Sequence, residues 1–255
     1  MKGLLTIIFL CLSLLLSAGG TSVAADGQAV RFATEELPPF NYIQDGKISG
    51  PAVALVDSVC KKLGQECSIG LYPWRRAEAM TRSGQVQGLF SVGWNKPREE
   101  WLYFSTPVFS TEYGFFECQE NPMVFSPIEK LKGKTIGVYG PSNLSYTLDQ
   151  INKQLGGSLK IELFTENPAL FKKLSRCRLD AVFCTKDVGL STIDQMNLKN
   201  IRYAQMQKKV FYHVGFSRKG TTEEFYRKFN KVILEMKKNG ELDRIARKYG
   251  VTPAH

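Results

Sequence analysis

Histidine is nearly absent from this 255-residue chain, which carries only His213 and His255. A histidine-rich metal centre is thereby excluded, and neither a metal site nor a cofactor is expected. Ser-His-Asp and Cys-His catalysis are disfavoured too, because His213 falls in an apolar strand pattern and His255 is the last residue. Long apolar runs are also scarce. The one example, Leu4 to Leu16, lies near the start and falls short of the roughly 20 residues that cross a bilayer. With 43% hydrophobic and 23% charged residues, the composition fits neither a disordered tail nor a collagen.

What is present begins at the N-terminus. Lys2 precedes the apolar run, and small residues ending in Val23-Ala24-Ala25 follow it. This is the pattern of a secretory signal peptide, expected over residues 1–25 with cleavage after Ala25. Cys11 lies inside the run, away from any lipid-attachment position. Residues 26–255 are therefore expected to be exported and soluble.

Five cysteines remain after cleavage: Cys60, Cys67, Cys118, Cys177 and Cys184. An oxidising compartment favours pairing among them. Cys60 should end a helix and Cys67 should open the next strand. Such a turn can bring two Cα atoms within the roughly 4.4–6.8 Å that a disulfide needs, so this pair is expected. At most one more pair can form among the other three, and the sequence does not choose it. Charge is the next signal. The net charge is +10, from 34 Lys+Arg against 24 Asp+Glu. The basic residues are spread along the chain, with small clusters at Lys208-Lys209 and Lys237-Lys238. Together with export, this reads as a solvated basic surface, and no nucleic-acid partner is expected.

Periodicity gives the architecture. Val30 to Thr34 reads as a strand, and Pro38-Pro39 breaks the chain after it. A helix opens at Gly50-Pro51 and carries Ala52, Leu55, Val56, Val59 and Leu63 on one stripe. A strand from Cys67, a helix over Trp74 to Ser83 and a strand over Val86 to Val92 follow. The series then repeats: strand 135–139, a helix carrying Leu144 to Leu155, strand 161–164, helix 168–174 and strand 179–184. Strands at 111–117 and 210–217 are natural crossovers, and two amphipathic helices finish the chain. Strand–helix alternation of this kind means α/β architecture with largely parallel sheets. Two similar lobes joined by two hinge strands would bind a ligand between them, at the carboxyl ends of strands.

Several segments, in order, resemble the bacterial extracellular solute-binding proteins of family 3, the periplasmic amino-acid-binding type of ABC transporters. They are Leu37-Pro38-Pro39-Phe40 with Asp45-Gly46-Lys47, Lys96-Pro97-Arg98-Glu99-Glu100, Tyr103-Phe104-Ser105-Thr106-Pro107, Leu131-Lys132-Gly133-Lys134-Thr135, Arg178-Leu179-Asp180-Ala181-Val182 and Lys238-Asn239-Gly240-Glu241-Leu242. The resemblance implies a two-lobed periplasmic-binding-protein type II fold. Lobe one would hold 26–112 plus 212–255, and lobe two would hold 113–211 with the hinge strands. It also implies a monomer in the periplasm that hands a solute to a membrane permease. The Cys60–Cys67 spacing matches a disulfide of the basic-amino-acid-binding members.

The resemblance also names candidate ligand contacts. Arg98 stands where relatives grip the ligand carboxylate, and a guanidinium suits that task with two parallel charge-assisted bonds. Trp74 stands where an aromatic covers the ligand side chain. Phe40 is a candidate opposing wall or a core residue. Ser91 and Gly93 match ligand-facing positions. Ser142 and Asn143 match a loop at a helix start, where N–H groups suit a carboxylate or the residues simply cap the helix. One position departs from the pattern. Relatives that hold an α-amine carry an acid five residues after the Asp of Leu-Asp-Ala-Val, and here that position is Thr185. Glu35, Glu36 or Asp187 are the candidate replacements, the last if the strand continues; otherwise the ligand has no free α-amine. Asp180 reads as a structural cap.

Three readings follow: a solute-binding protein without chemistry, a sensory receptor that reports to a membrane partner, and an enzyme on the same scaffold, of the cyclohexadienyl-dehydratase type. The first is expected, with no catalytic residues.

Overall fold

The structure, a computed structural model, describes residues 29–255, so the expected signal peptide lies outside the described residues. The chain runs through β1 (Val30–Thr34), the hairpin β2 (Tyr42–Gln44) and β3 (Lys47–Ser49), α1 (Pro51–Lys62), β4 (Cys67–Leu71), α2 (Trp74–Ser83) and β5 (Gly88–Gly93). A short α3 (Lys96–Glu99), β6 (Leu102–Phe104) and the long β7 (Phe109–Cys118) follow. After a 3-10 turn at Ile128–Leu131 come β8 (Thr135–Tyr139), α4 (Asn143–Gln154), β9 (Lys160–Phe164), α5 (Asn167–Leu174), β10 (Ala181–Thr185), α6 (Lys186–Gln195) and β11 (Ile201–Ser217). Helices α7 (Glu223–Lys238) and α8 (Glu241–Lys248) and the short β12 (Thr252–Pro253) complete it.

One sheet runs through the molecule in the order β4-β1-β5-β11-β7-β10-β8-β9. Its two ends are parallel three-stranded halves, β4-β1-β5 and β10-β8-β9. Each half places its first strand in the middle, so the same βαβαβ unit occurs twice. Between them β7 and β11 pair antiparallel, from Ile201 opposite Cys118 to Tyr212 opposite Phe109. This ribbon joins two lobes. The C-terminal half of β11 continues into the first lobe, against β5 and β6.

The elements form for local reasons. Pro51 occupies the tolerated first turn of α1, whose buried face is Ala52, Leu55, Val56 and Val59. Gly84 ends α2 in the left-handed conformation, with φ 83°. Packing then fixes them. Phe32, Phe216 and Phe229 pack edge-on or tilted in the first lobe, with centroids 4.9–5.9 Å apart. Phe115, Phe125 and Phe183 cluster in the second, with Phe115 centroids 5.0 and 5.1 Å from its two partners. Gly88 is required on β5, because a Cβ there would lie 2.3 Å from the Phe32 ring.

Sulfur joins Cys60 to Cys67, with Cα atoms 6.2 Å apart, which ties the end of α1 to β4. A second bond joins Cys118 to Cys177, and Cys184 is a buried free thiol. Among the differences from the sequence expectation, those at β10, α6 and β11 bear on the site. The strand expected at 210–217 begins nine residues earlier, at Ile201. The strand expected to end at Cys184 runs to Thr185, and α6 starts at once. Asp187 therefore lies in the first turn of a helix rather than on a strand face, and its carboxylate accepts a bond from Thr111.

Candidate functional site

The carboxyl ends of the two parallel halves meet at one cavity. Glu35 follows β1, Ser91 and Gly93 end β5, Tyr139 ends β8, and Thr185 ends β10; all line it. Tyr113 of β7 and Tyr212 of β11 add the hinge ribbon to its lining. The cavity volume is about 40 Å³, room for a carboxylate-sized group or roughly three waters.

Arg98 dominates its chemistry. The side chain of Asn95 caps the short helix α3 by accepting from the Arg98 backbone N–H at 3.0 Å. The Arg98 side chain is turned inward and only 5% exposed. Its Nε donates to Glu78 Oε1 at 3.2 Å, and Nη1 donates to the Gly93 carbonyl at 2.8 Å. Its guanidinium carbon sits 5.0 Å from the Trp74 ring centroid, a cation–π contact. A guanidinium has five N–H donors. Three of them thus have no protein acceptor among the described residues. The Trp74 Nε1–H is also buried without a partner, and so is the Asn167 Oδ1 acceptor. Both residues line the cavity. Buried polar groups are normally paired, so this set of three donors, a further N–H and an acceptor can receive a small polar molecule with an anionic end.

Glu35 faces these donors. Tyr139 of the second lobe donates to Glu35 Oε2 at 2.5 Å. Burial raises the Glu35 carboxyl to about 7, although the Tyr139 bond and Arg98 both pull it down. Burial and the Glu35 carboxylate together push the Tyr139 hydroxyl well above its usual range. The loop that carries Glu35 is anchored by Asn41, whose amide donates to Thr34 Oγ1 at 3.1 Å and to the Glu35 carbonyl. Ser91 donates to the Asn41 side-chain oxygen.

Asn143 forms a second hydrogen-bonded contact between the lobes. It accepts from Asn95 at 3.0 Å, and its amide reaches the Trp94 carbonyl and the Tyr113 hydroxyl, each at 3.3 Å. Gly93 makes this approach possible, because a Cβ there would lie 2.8 Å from Asn143 Nδ2. Ser142 caps α4 by accepting from Leu144 N at 3.1 Å. Thr185 is buried with its hydroxyl 3.2 Å from that of Tyr212. Asp180 lies away from the cavity lining and accepts from Thr135 N at 2.8 Å, holding the starts of β8 and β10 together.

The structure brings together Arg98, Trp74, Ser91, Gly93, Ser142, Asn143 and Thr185. Two of the candidates lie outside this cavity. Phe40 is fully buried, with its ring 4.8 Å from Tyr212 and 5.9 Å from Phe109, and belongs to the core. The two prolines before it turn the chain so that Leu37, not Phe40, reaches the cavity. Glu36 is exposed and lies outside this cavity, in the lining of an adjoining cleft; its neighbour Glu35 takes the inward position. Trp74 lines the cavity, and its ring also carries the Arg98 guanidinium. Sequence reasoning did not single out Tyr113, Tyr139, Asn167, Tyr212 or Glu78. Glu78 had a readable signal, standing one turn after Trp74 on the same helix face. The tyrosines and Asn167 had none, because their roles depend on which strands and helices meet.

Residues 30–252 match the family described as bacterial extracellular solute-binding proteins, family 3. The L-cystine-binding protein TcyJ of Escherichia coli (strain K12) is 25% identical over 83% of this chain and 78% of its own length. The arginine-binding periplasmic protein of Mannheimia haemolytica is 23% identical over 97% of this chain and 98% of its own. Among solved structures, an ancestral arginine-binding protein bound to arginine superposes with a TM-score of 0.77 at 25% identity, covering 87% of this chain and 97% of that one. A histidine kinase sensor domain with similarity to periplasmic binding proteins superposes with a TM-score of 0.81 over 90% of this chain and all of that one; at 18% identity the likeness is one of fold.

Proposed function

The chain belongs to the bacterial extracellular solute-binding proteins, family 3, and from that membership we propose that it is a periplasmic receptor for an amino-acid-like carboxylate. The lobes close on the ligand, and the closed form delivers it to an ABC permease. The observation that carries this reading is Arg98: a residue only 5% exposed, its guanidinium over the Trp74 ring, with three N–H donors facing no protein acceptor among the described residues. A ligand carboxylate would take these donors and the Trp74 N–H, in the charge-assisted geometry that arginine favours. Glu35 would supply the acid that Thr185 does not, accepting a ligand ammonium as Tyr139 gives way.

The test is a thermal-shift screen of residues 26–255 with the standard amino acids, dicarboxylates, small peptides, polyamines and aromatic acids. A ligand that binds only the folded state raises the melting temperature by mass action. The reading expects a shift with carboxylates that carry an amine; a shift confined to polyamines, or none at all, would contradict it. One observation favours a second reading. A carboxyl that titrates near 7 beside an arginine suits general-acid chemistry on a cyclic acid, and turnover of a cyclohexadienyl acid to an aromatic product would establish it.

A further inference from the structure

Beside the small cavity lies a second cleft of about 660 Å³. Glu35, Tyr139, Asn167 and Val188 line both. The Glu35–Tyr139 hydrogen bond therefore stands between an inner space of about 40 Å³ and an outer one of about 660 Å³. The inner space fits a carboxylate and little more. The outer one falls in the range of roughly 300–1,000 Å³ that holds whole small molecules.

The charged residues that line the outer cleft are acidic, and Arg76 is a cation beside its lining, 5.2 Å from the Tyr72 ring centroid. Glu36 and Glu166 line it beside Glu35, and no Lys or Arg does. Neither Glu36 nor Glu166 has an ion-pair partner among the described residues. The cleft lining is therefore acidic on a chain whose net charge is +10. Tyr72, Leu71 and Ile43 add aromatic and apolar lining to the same cleft. Asn167 Oδ1, buried and without a donor, sits where the two spaces join.

We propose that the ligand is longer than one free amino acid: a dipeptide-sized carboxylate with a cationic far end. Its carboxylate lies on Arg98 in the inner space. Its backbone passes between Glu35 and Tyr139 and gives an N–H to Asn167 Oδ1. Its far cation lies between Glu36 and Glu166, with an apolar stem along Tyr72. This rests on the carboxylate-binding reading above and names the class of molecule that the site takes.

The test is titration calorimetry of residues 26–255 with glycine, N-acetyl-Ala-Gly and Lys-Gly, at low and moderate salt. Lys-Gly should bind at least about tenfold more tightly than either of the others, and its affinity alone should fall steeply with salt. In the Glu36→Gln/Glu166→Gln double variant, Lys-Gly should weaken roughly fivefold or more while glycine is unaffected. Equal affinity for glycine and Lys-Gly, or an unchanged Lys-Gly affinity in the double variant, would overturn the inference and leave the carboxylate reading intact. If none of the three binds, the carboxylate reading itself fails, and the inference with it.

Discussion

At Glu35 two forces oppose each other. Burial favours the neutral acid, while Arg98 and the Tyr139 hydroxyl favour the carboxylate, and burial wins, raising the group from 4.5 to about 7. Between about pH 4.5 and about pH 7 the folded, ligand-free protein thus holds a proton that the unfolded chain has already lost. Stability should fall as pH rises through that window, by about 2 kcal/mol once the side chain's partial solvent contact is allowed for. Glu35→Gln should flatten the slope, read from urea unfolding at several pH values; a slope that persists would show that another group holds the proton. Phe40 offers a second check at this scale. As a core ring against Tyr212 and Phe109, its change to Ala should cost about 3–5 kcal/mol of stability. Ligand affinity of the protein that remains folded should change little; a large loss of affinity with little loss of stability would return Phe40 to the site.

Among the elements, legibility followed the strength of the apolar stripe. The helices α1, α2, α4 and α7 bury regular faces and stood out in the sequence. Helix α6 did not, because only Val188, Gly189 and Thr192 are buried along it. The first half of β11 was also missed. Arg202, Gln205, Lys208 and Lys209 give it no apolar alternation, and its pairing with β7 holds it extended. Missing α6 had a cost at the site, since it led Asp187 to be considered beside Thr185. The closure contact at the end of β5 gives the prediction for this scale. Gly93→Ala places a Cβ 2.8 Å from Asn143 Nδ2 and 3.3 Å from the Tyr113 hydroxyl. The Asn143 side chain must then swing away and lose its bonds to Asn95 and Trp94. Ligand affinity should drop about tenfold while the melting temperature of the ligand-free protein moves little, the lost contacts being worth about 1 kcal/mol or slightly more. Wild-type affinity in that variant would show that the Gly93–Asn143 approach has no part in closure.

For the whole molecule, the duplicated strand–helix series was plain in the sequence, and the structure shows its reason in two parallel halves facing each other across an antiparallel ribbon. Contacts that need both lobes at once were not readable. Tyr139 meets Glu35 across 104 residues of sequence, and Asn143 meets Asn95 across 48; nothing in either segment announces its partner. The motifs could therefore indicate Arg98 but not the partition behind Glu35. The proposed closure would use this layout. A ligand that contacts residues of both lobes stabilises the closed form by its differential affinity for it. The central claim is that Arg98 holds the ligand's carboxylate in that closed form. Titration calorimetry of Arg98→Ala against wild type, with a ligand found by the thermal-shift screen, tests it directly. The account predicts an affinity loss of about 100-fold or more, the value of two charge-assisted hydrogen bonds, in a protein whose circular dichroism is unchanged. Binding within about threefold of wild type would contradict it.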